Sequence, residues 1–138
     1  MFGVAIFNVG TPDEIRGAQL DPTAARNIAE MGDMDSTKGV ELLKQYSPYH
    51  RVPPQLSLPT TIIKSAADDY NFGSVASAAK YVARLQAANT SDRPVLWANQ
   101  AGGHSDFFDA DPETTASWMA FVLWQTGHRD FQPNQTKR

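Results

Sequence analysis

Two carboxylates and one imidazole are the side chains of this sequence best suited by type and spacing to do chemistry. Asp68 and Asp69 follow the β-branched run Thr60-Thr61-Ile62-Ile63, and His104 lies in Ala101-Gly102-Gly103-His104-Ser105, after a second apolar run. A carboxylate behind a histidine fixes the imidazole tautomer and stabilises the imidazolium formed when a hydroxyl proton is taken, which is what a general base needs. Gly102 and Gly103 let the loop bend tightly and present His104 to a neighbour. Spacing alone also allows a plainer reading, an Asx-turn after a strand and a solvated loop histidine.

The other polar candidates are weaker. His50 sits in a proline-rich stretch, where packing and hydrogen bonding of that stretch are expected of it, and His128 is near the chain end. A metal site needs three or four converging ligands, and an Asp pair with one nearby His and no Cys is too thin a set, so no metal and no cofactor is expected. No Gly-rich loop follows a strand to cradle a phosphate. Ser36, Ser47, Ser57, Ser65, Ser74, Ser77, Ser91, Ser105 and Ser117 all lack the Gly-x-Ser-x-Gly setting that exposes a nucleophilic hydroxyl beside an oxyanion hole.

These residues need a scaffold, and the chain supplies one. Gly3 to Val9 is an apolar run closed by Gly10-Thr11-Pro12-Asp13, the pattern of a strand buried on both faces. Asp21 to Gly32 has a capping Asp, Pro at the first helical position and a closing Gly, and about Thr37 to Tyr46 a second helix carries Val40, Leu43 and Leu42 inward. Four prolines between residues 47 and 59 predict a loop. Thr60 to Ala66 is a strand, and Ser74 opens a helix with Val75, Ala78, Ala79, Val82 and Leu85 on one face. Pro94 to Asn99 is a third strand, and Gln100 to Phe108 a loop. Asp111 caps a last helix with Ala116, Met119, Ala120 and Leu123 at helical spacing, ended by Gly127; Trp97, Trp118 and Trp124 are expected in a core or a domain interface. His128 to Arg138 is a polar tail. Strands alternating with helices predict an open parallel sheet, with ligands beyond the carboxyl ends of its strands, so the loops after Ala66 and Asn99 should lie side by side.

Composition narrows the functional classes. Hydrophobic residues make up 41% and charged residues 20% of 138, ordinary values for a globular chain. A net charge of −3 gives no footprint for a phosphate backbone, so no nucleic acid partner is expected. The apolar start from Met1 to Gly10 is too short to span a bilayer and lacks the basic region of a signal peptide, so no membrane partner is expected either. Absence of Cys leaves the compartment open.

The order acid then histidine on successive strand ends is that of α/β-hydrolases. Four ordered motifs make the likeness more specific: Tyr46-Ser47-Pro48-Tyr49-His50-Arg51-Val52, Asp68-Asp69, the helix end Lys80-Tyr81-Val82-Ala83-Arg84-Leu85-Gln86, and Ala101-Gly102-Gly103-His104. Together they resemble the C-terminal part of the prolyl oligopeptidase family over residues 1 to about 126. That family has Ser-Pro-x-His-Asn-Val before the strand, an acid at the first Asp of Asp-Asp-Arg, and a base in Ala-Gly-His-Gly. The resemblance implies that Asp68 is the triad acid, Asp69 the adjacent turn residue and His104 the base. Tyr70 stands where the family has an Arg that helps hold the substrate backbone, Arg51 where it has Asn, Ser105 where it has Gly, and Ser65-Ala66-Ala67 replaces a Gly-Asp-x lead into the acid. These departures bear on substrate preference.

The resemblance therefore implies a partial α/β-hydrolase domain over residues 1–127, with about three parallel strands and flanking helices, followed by the tail at 128–138. It implies part of a serine peptidase that cleaves peptide bonds through an acyl-enzyme and, in the complete enzyme, binds peptide substrate. The Gly-x-Ser-x-Gly-Gly elbow is absent, so the serine is expected from an upstream segment or a partner chain, and the chain alone is expected to be inactive. The alternative is a non-catalytic remnant that keeps the fold as a binding module and exposes the edge of its first strand.

Overall fold

A computed structural model describes residues 2–20, 34–69, 75–107 and 111–133. The helix expected from Asp21 to Gly32 and the residues Tyr70 and Ser74 lie outside them. Three parallel strands, β1 (Val4–Asn8), β2 (Thr60–Ala66) and β3 (Val95–Gln100), form one sheet in the order β1-β2-β3. Ile6 pairs with Ile62 and Ile62 with Leu96. The chain is thus an α/β fold of parallel strands with flanking helices, as its alternating pattern predicts.

The central strand is the best defined by its sequence. Six of its seven residues are buried, and its β-branched side chains fill both sides of the sheet. Because side chains alternate along a strand, Thr61, Ile63 and Ser65 share one face, and Thr60, Ile62, Lys64 and Ala66 the other. On the first face lies the core, where Ile63 and Val95 meet Ala78, Val82 and Leu85 of the helix Val75–Ala88. Ala79 of that helix is only half-buried, and Ser77 and Ala88 are buried with the core face.

The helix Pro112–Gln125 covers the opposite face. Gln125 accepts a 2.7 Å hydrogen bond from Thr60 Oγ1, and the Lys64 ammonium lies 5.5 Å from the centre of the Trp118 ring. Asp111 caps the helix as expected, accepting from the Thr114 N–H at 3.0 Å, and Gly127 follows its end with a φ of +84°. Its inward stripe matches the expected one in part. Ala120 and Leu123 are half-buried as expected, together with Trp118, Phe121 and Val122, whereas Ala116 and Met119 are exposed, Met119 by 60%. A helix apolar nearly all round gives its period no polar face to be measured against.

Two further differences have local causes. β1 is not buried on both faces: it has one strand neighbour among the described residues, and Ala5, Ile6 and Asn8 are exposed. The stretch expected as loop holds a short helix, Pro48–Arg51, because Pro at a first helical position needs no N–H partner and brings a helical φ. An unanticipated helix, Glu14–Leu20, also begins at Asp13, whose carboxylate accepts from the Arg16 N–H at 3.2 Å as an N-cap does. The expected helix Thr37–Tyr46 is present, with Leu43 buried, Val40 and Leu42 half-buried, and Ser36 as its cap.

Candidate active site

The site is built where β2 and β3 end side by side. The Ala67 N–H donates to Gln100 O at 2.9 Å and the Asp68 N–H to Gly102 O at 2.9 Å, so the loop after β3 is tied to the turn after β2. The Asp69 N–H then returns to Ala66 O at 3.3 Å, closing a four-residue turn with Ala67 and Asp68 at its corners. Corner residues of such a turn stand out into solvent, and the fourth comes back to the sheet. Ala67 and Asp68 are accordingly exposed and Asp69 is buried.

The resemblance points to Asp68 as the acid, whereas the contact in the structure is made by its neighbour. Asp69, not Asp68, meets the histidine: His104 Nδ1 lies 2.9 Å from Asp69 Oδ2, with the carboxylate side chain 1% and the imidazole 30% exposed. The two aspartates are adjacent in sequence, and the bend of the turn decides which one faces His104. A carboxylate accepts, so Nδ1 donates, and Nε2 is left as the nitrogen able to take a proton.

His104 opens a short 3₁₀ turn, His104–Phe107, that leans back over the end of β2. Gly102, with φ at +94°, makes the bend; a side chain there would also overlap the Asp106 carboxylate. Asp106 in turn accepts from the Gly103 N–H, and its own N–H donates to Gly103 O at 3.2 Å. Just behind the site, Trp97 Nε1 donates to Ser65 Oγ at 2.8 Å and Ser65 Oγ to Asn99 Oδ1 at 2.9 Å, joining β2 to β3. The sequence analysis did not pick out this link. A serine, an asparagine and a tryptophan on two strands reveal their partnership only through the register.

The second histidine belongs to a different cluster. His50 Nδ1 is 2.8 Å from Ser47 Oγ and 3.9 Å from Asp13 Oδ1, so the hydroxyl and the carboxylate crowd one ring nitrogen. A relay needs them on opposite nitrogens. Ser47 is fully buried, its hydroxyl donating to Pro12 O and accepting from the Glu14 N–H. Asp13, also buried, is held by Lys80 Nζ at 2.6 Å. Burial works to raise its pKa, but the Lys80 bond and the Arg16 N–H together hold it below the ordinary carboxylate range. Burial and the Asp13 charge push Glu14 upward. Lys80 and Arg84 both lie over the Tyr49 ring, at 4.5 and 4.9 Å. The cluster pins three helices together and was missed in sequence except for the packing role of His50.

Of the remaining candidates, His128 caps the 3₁₀ turn Arg129–Phe131 away from the sheet edge. Among the described residues no group of three or more His, Asp or Glu could hold a metal, and no helix is long and apolar enough to cross a membrane.

No family model matches the chain. It is 32% identical over 134 residues to an uncharacterized peptidase of Sinorhizobium fredii, y4qF, an alignment covering 91% of this chain and 17% of that protein. Among solved structures it is similar to a prolyl endopeptidase, with a TM-score of 0.76 and 24% identity over 95% of this chain and 19% of the other. It is similar also to oligopeptidase B of Leishmania major, with a TM-score of 0.69 and 22% identity over 90% of this chain and 18% of the other. Prolyl oligopeptidase B of Galerina marginata, determined with a 35mer hydrolysis and macrocyclization substrate, gives 0.74 and 20%, over 91% and 18%. The fold is that of part of the α/β-hydrolase domain of prolyl oligopeptidases, and the chain spans less than a fifth of each of these proteins.

Proposed function

We propose that this chain supplies the base and the acid of a serine peptidase site of the prolyl oligopeptidase kind, with His104 as general base and Asp69 as the carboxylate that orients it. The observation that carries the reading is the 2.9 Å contact between a buried carboxylate and a partly exposed imidazole, held at the carboxyl ends of adjacent parallel strands. Asp69 fixes the ring with its Nδ1 proton toward the carboxylate. His104 Nε2 then takes the proton of a serine hydroxyl as its oxygen attacks the carbonyl carbon of a peptide. The same nitrogen returns the proton to the departing amine, leaving an acyl-enzyme that water hydrolyses by the reverse sequence.

The serine is not offered by this sequence in the required form, since no Gly-x-Ser-x-Gly occurs in it. Ser47 and Ser65 are tied up in buried hydrogen bonds, Ser36 caps a helix, and Ser117 donates to Glu113 O within one. The nucleophile therefore comes from outside these 138 residues, and the chain alone is expected to be inert. Without its nucleophile a triad loses most of its rate even when the rest of the geometry survives. The check is hydrolysis of proline-containing peptides and of activated esters by the purified chain, beside His104→Ala. Equal background from both is expected, and His104-dependent turnover by the chain alone would contradict the reading.

A second reading, a hydrolase fold kept as a non-catalytic binding module, is favoured by the missing Gly-x-Ser-x-Gly and by an edge of β1 that has no strand partner among the described residues. It differs in one outcome: no serine-bearing segment would restore activity.

A further inference from the structure

The chain on either side of His104 is tied down, and the two ties differ in kind. Before it, the Gly102 carbonyl accepts from the Asp68 N–H at 2.9 Å, which joins the loop to the turn that carries Asp69. After it, the tie is a side chain. Asp106 Oδ2 accepts from the Gly103 N–H, and the Asp106 N–H donates to Gly103 O at 3.2 Å, so the two bonds close a ring of chain with His104 inside it.

The positions within this turn explain why an aspartate serves. Gly103 immediately precedes the 3₁₀ turn His104–Phe107, and Asp106 is the third residue within it. A carboxylate at that third position reaches back to the N–H of the capping residue, which is one half of a capping box. Gly103 has no side chain to supply the other half, so closure by a side chain falls to Asp106. A four-residue 3₁₀ turn is poorly bonded by itself, and a hydrogen bond to a charged acceptor is roughly twice as strong as a neutral one. Gly102 makes the room: a Cβ there would run into the Asp106 carboxylate, whereas one at Gly103 would lie 3.6 Å from Asp68 O and 3.9 Å from Asp106 Oδ2, which are ordinary contacts. Of the two glycines before the histidine, Asp106 therefore requires the first.

Resting on the functional reading above, we propose that Asp106 is a positioning residue of the site: by closing the turn through the Gly103 N–H it holds the His104 imidazole against Asp69 and so fixes where Nε2 points. The two carboxylates divide the work. Asp69 sets the tautomer through its 2.9 Å contact with Nδ1, and Asp106, acting through the backbone of His104, sets where the ring stands. His104 needs the second because it is 30% exposed on a loop, and a loop side chain keeps its distance to a buried carboxylate only if its own backbone is fixed. A displacement of roughly 1 Å breaks such a hydrogen bond and can cost about 10²-fold in rate. Asp106 is itself exposed, so removing its carboxylate opens no cavity in the core.

The test is nuclear magnetic resonance on the full chain, reading the exchange of the His104 Nδ1–H with water, with the amides of β2 as a check on the fold. Asp106→Ala is expected to speed that exchange about tenfold or more while the β2 amides stay protected. Asp106→Asn loses the charge but keeps an oxygen able to accept from Gly103, and should bring the exchange back to within about threefold of the wild type. Gly103→Ala, a change just as close to the histidine, should leave it unchanged. Slow exchange retained in Asp106→Ala would overturn the proposal and leave the functional reading standing. Equal loss in Asp106→Asn would also overturn it, because the acceptor is what the role requires, and loss of the β2 amides in Asp106→Ala would do the same by showing a role in the fold at large. A wild type whose Nδ1–H already exchanges fast would sink the functional reading, and the positioning role with it.

Discussion

At the scale of single residues the chemistry depends on which of two neighbouring carboxylates faces His104. Asp69 is buried at 2.9 Å from Nδ1, and Asp68 stands at an exposed corner of the turn. In a complex reconstituted with a serine-bearing segment, Asp69→Asn is expected to lower kcat by about 10⁴, because the amide can hold the ring in the wrong tautomer. Asp68→Asn should change it less than about tenfold. Steady-state kinetics on the two variants separates them. His104 stood out in sequence because it follows Gly102-Gly103 four residues beyond the end of β3, with Asp68 and Asp69 two and three residues beyond the end of β2. The resemblance pointed to Asp68; that Asp69 is the one in contact was not legible, since it follows from a turn hydrogen bond from the Asp69 N–H to Ala66 O.

At the scale of elements, buried polar links hold three helices to one another. Asp13 caps one helix, bonds Lys80 of another and faces His50 of a third. Asp13→Ala is expected to destabilise the chain by about 2–3 kcal/mol, measured by urea unfolding, since a cap and a charge-assisted bond are lost together. The pH dependence follows from the direction of its shift. The folded pKa is depressed, so the stabilisation is present above the unfolded value near 3.8 and is lost as pH falls through the lower folded value. Lys80→Met should move acid unfolding to higher pH, and an unchanged midpoint would contradict this account. Gly102→Ala, at a φ of +94° and against Asp106, should cost about 1–3 kcal/mol and loosen His104, read by thermal melting.

The elements differ in how far their sequences revealed them. β2 and the helix behind it were readable because a β-branched run and a single apolar face leave one way to bury them. The helix Pro112–Gln125 was readable in extent and cap but only in part in orientation, Ala120 and Leu123 facing inward and Ala116 and Met119 outward. The short helix at Pro48 was hidden by its prolines, which forbid a helix interior yet favour a helix start.

At the scale of the whole molecule, the described residues form one sheet of three parallel strands with Asp69 and His104 in contact at its carboxyl end. The strand order sets the carboxylate and the imidazole side by side, and among the described residues β1 has one strand neighbour and is flanked by an apolar groove. The apolar groove was not legible in sequence, because it depends on how the proline-rich stretch folds against β1. The central claim, that Asp69 orients His104 as a base, can be read on the chain alone. Proton–nitrogen correlation spectra of the His104 imidazole should show a protonated Nδ1 hydrogen-bonded in the wild type and in Asp68→Asn, with that signal lost or shifted in Asp69→Asn. Loss of the signal in Asp68→Asn with its retention in Asp69→Asn would contradict the account.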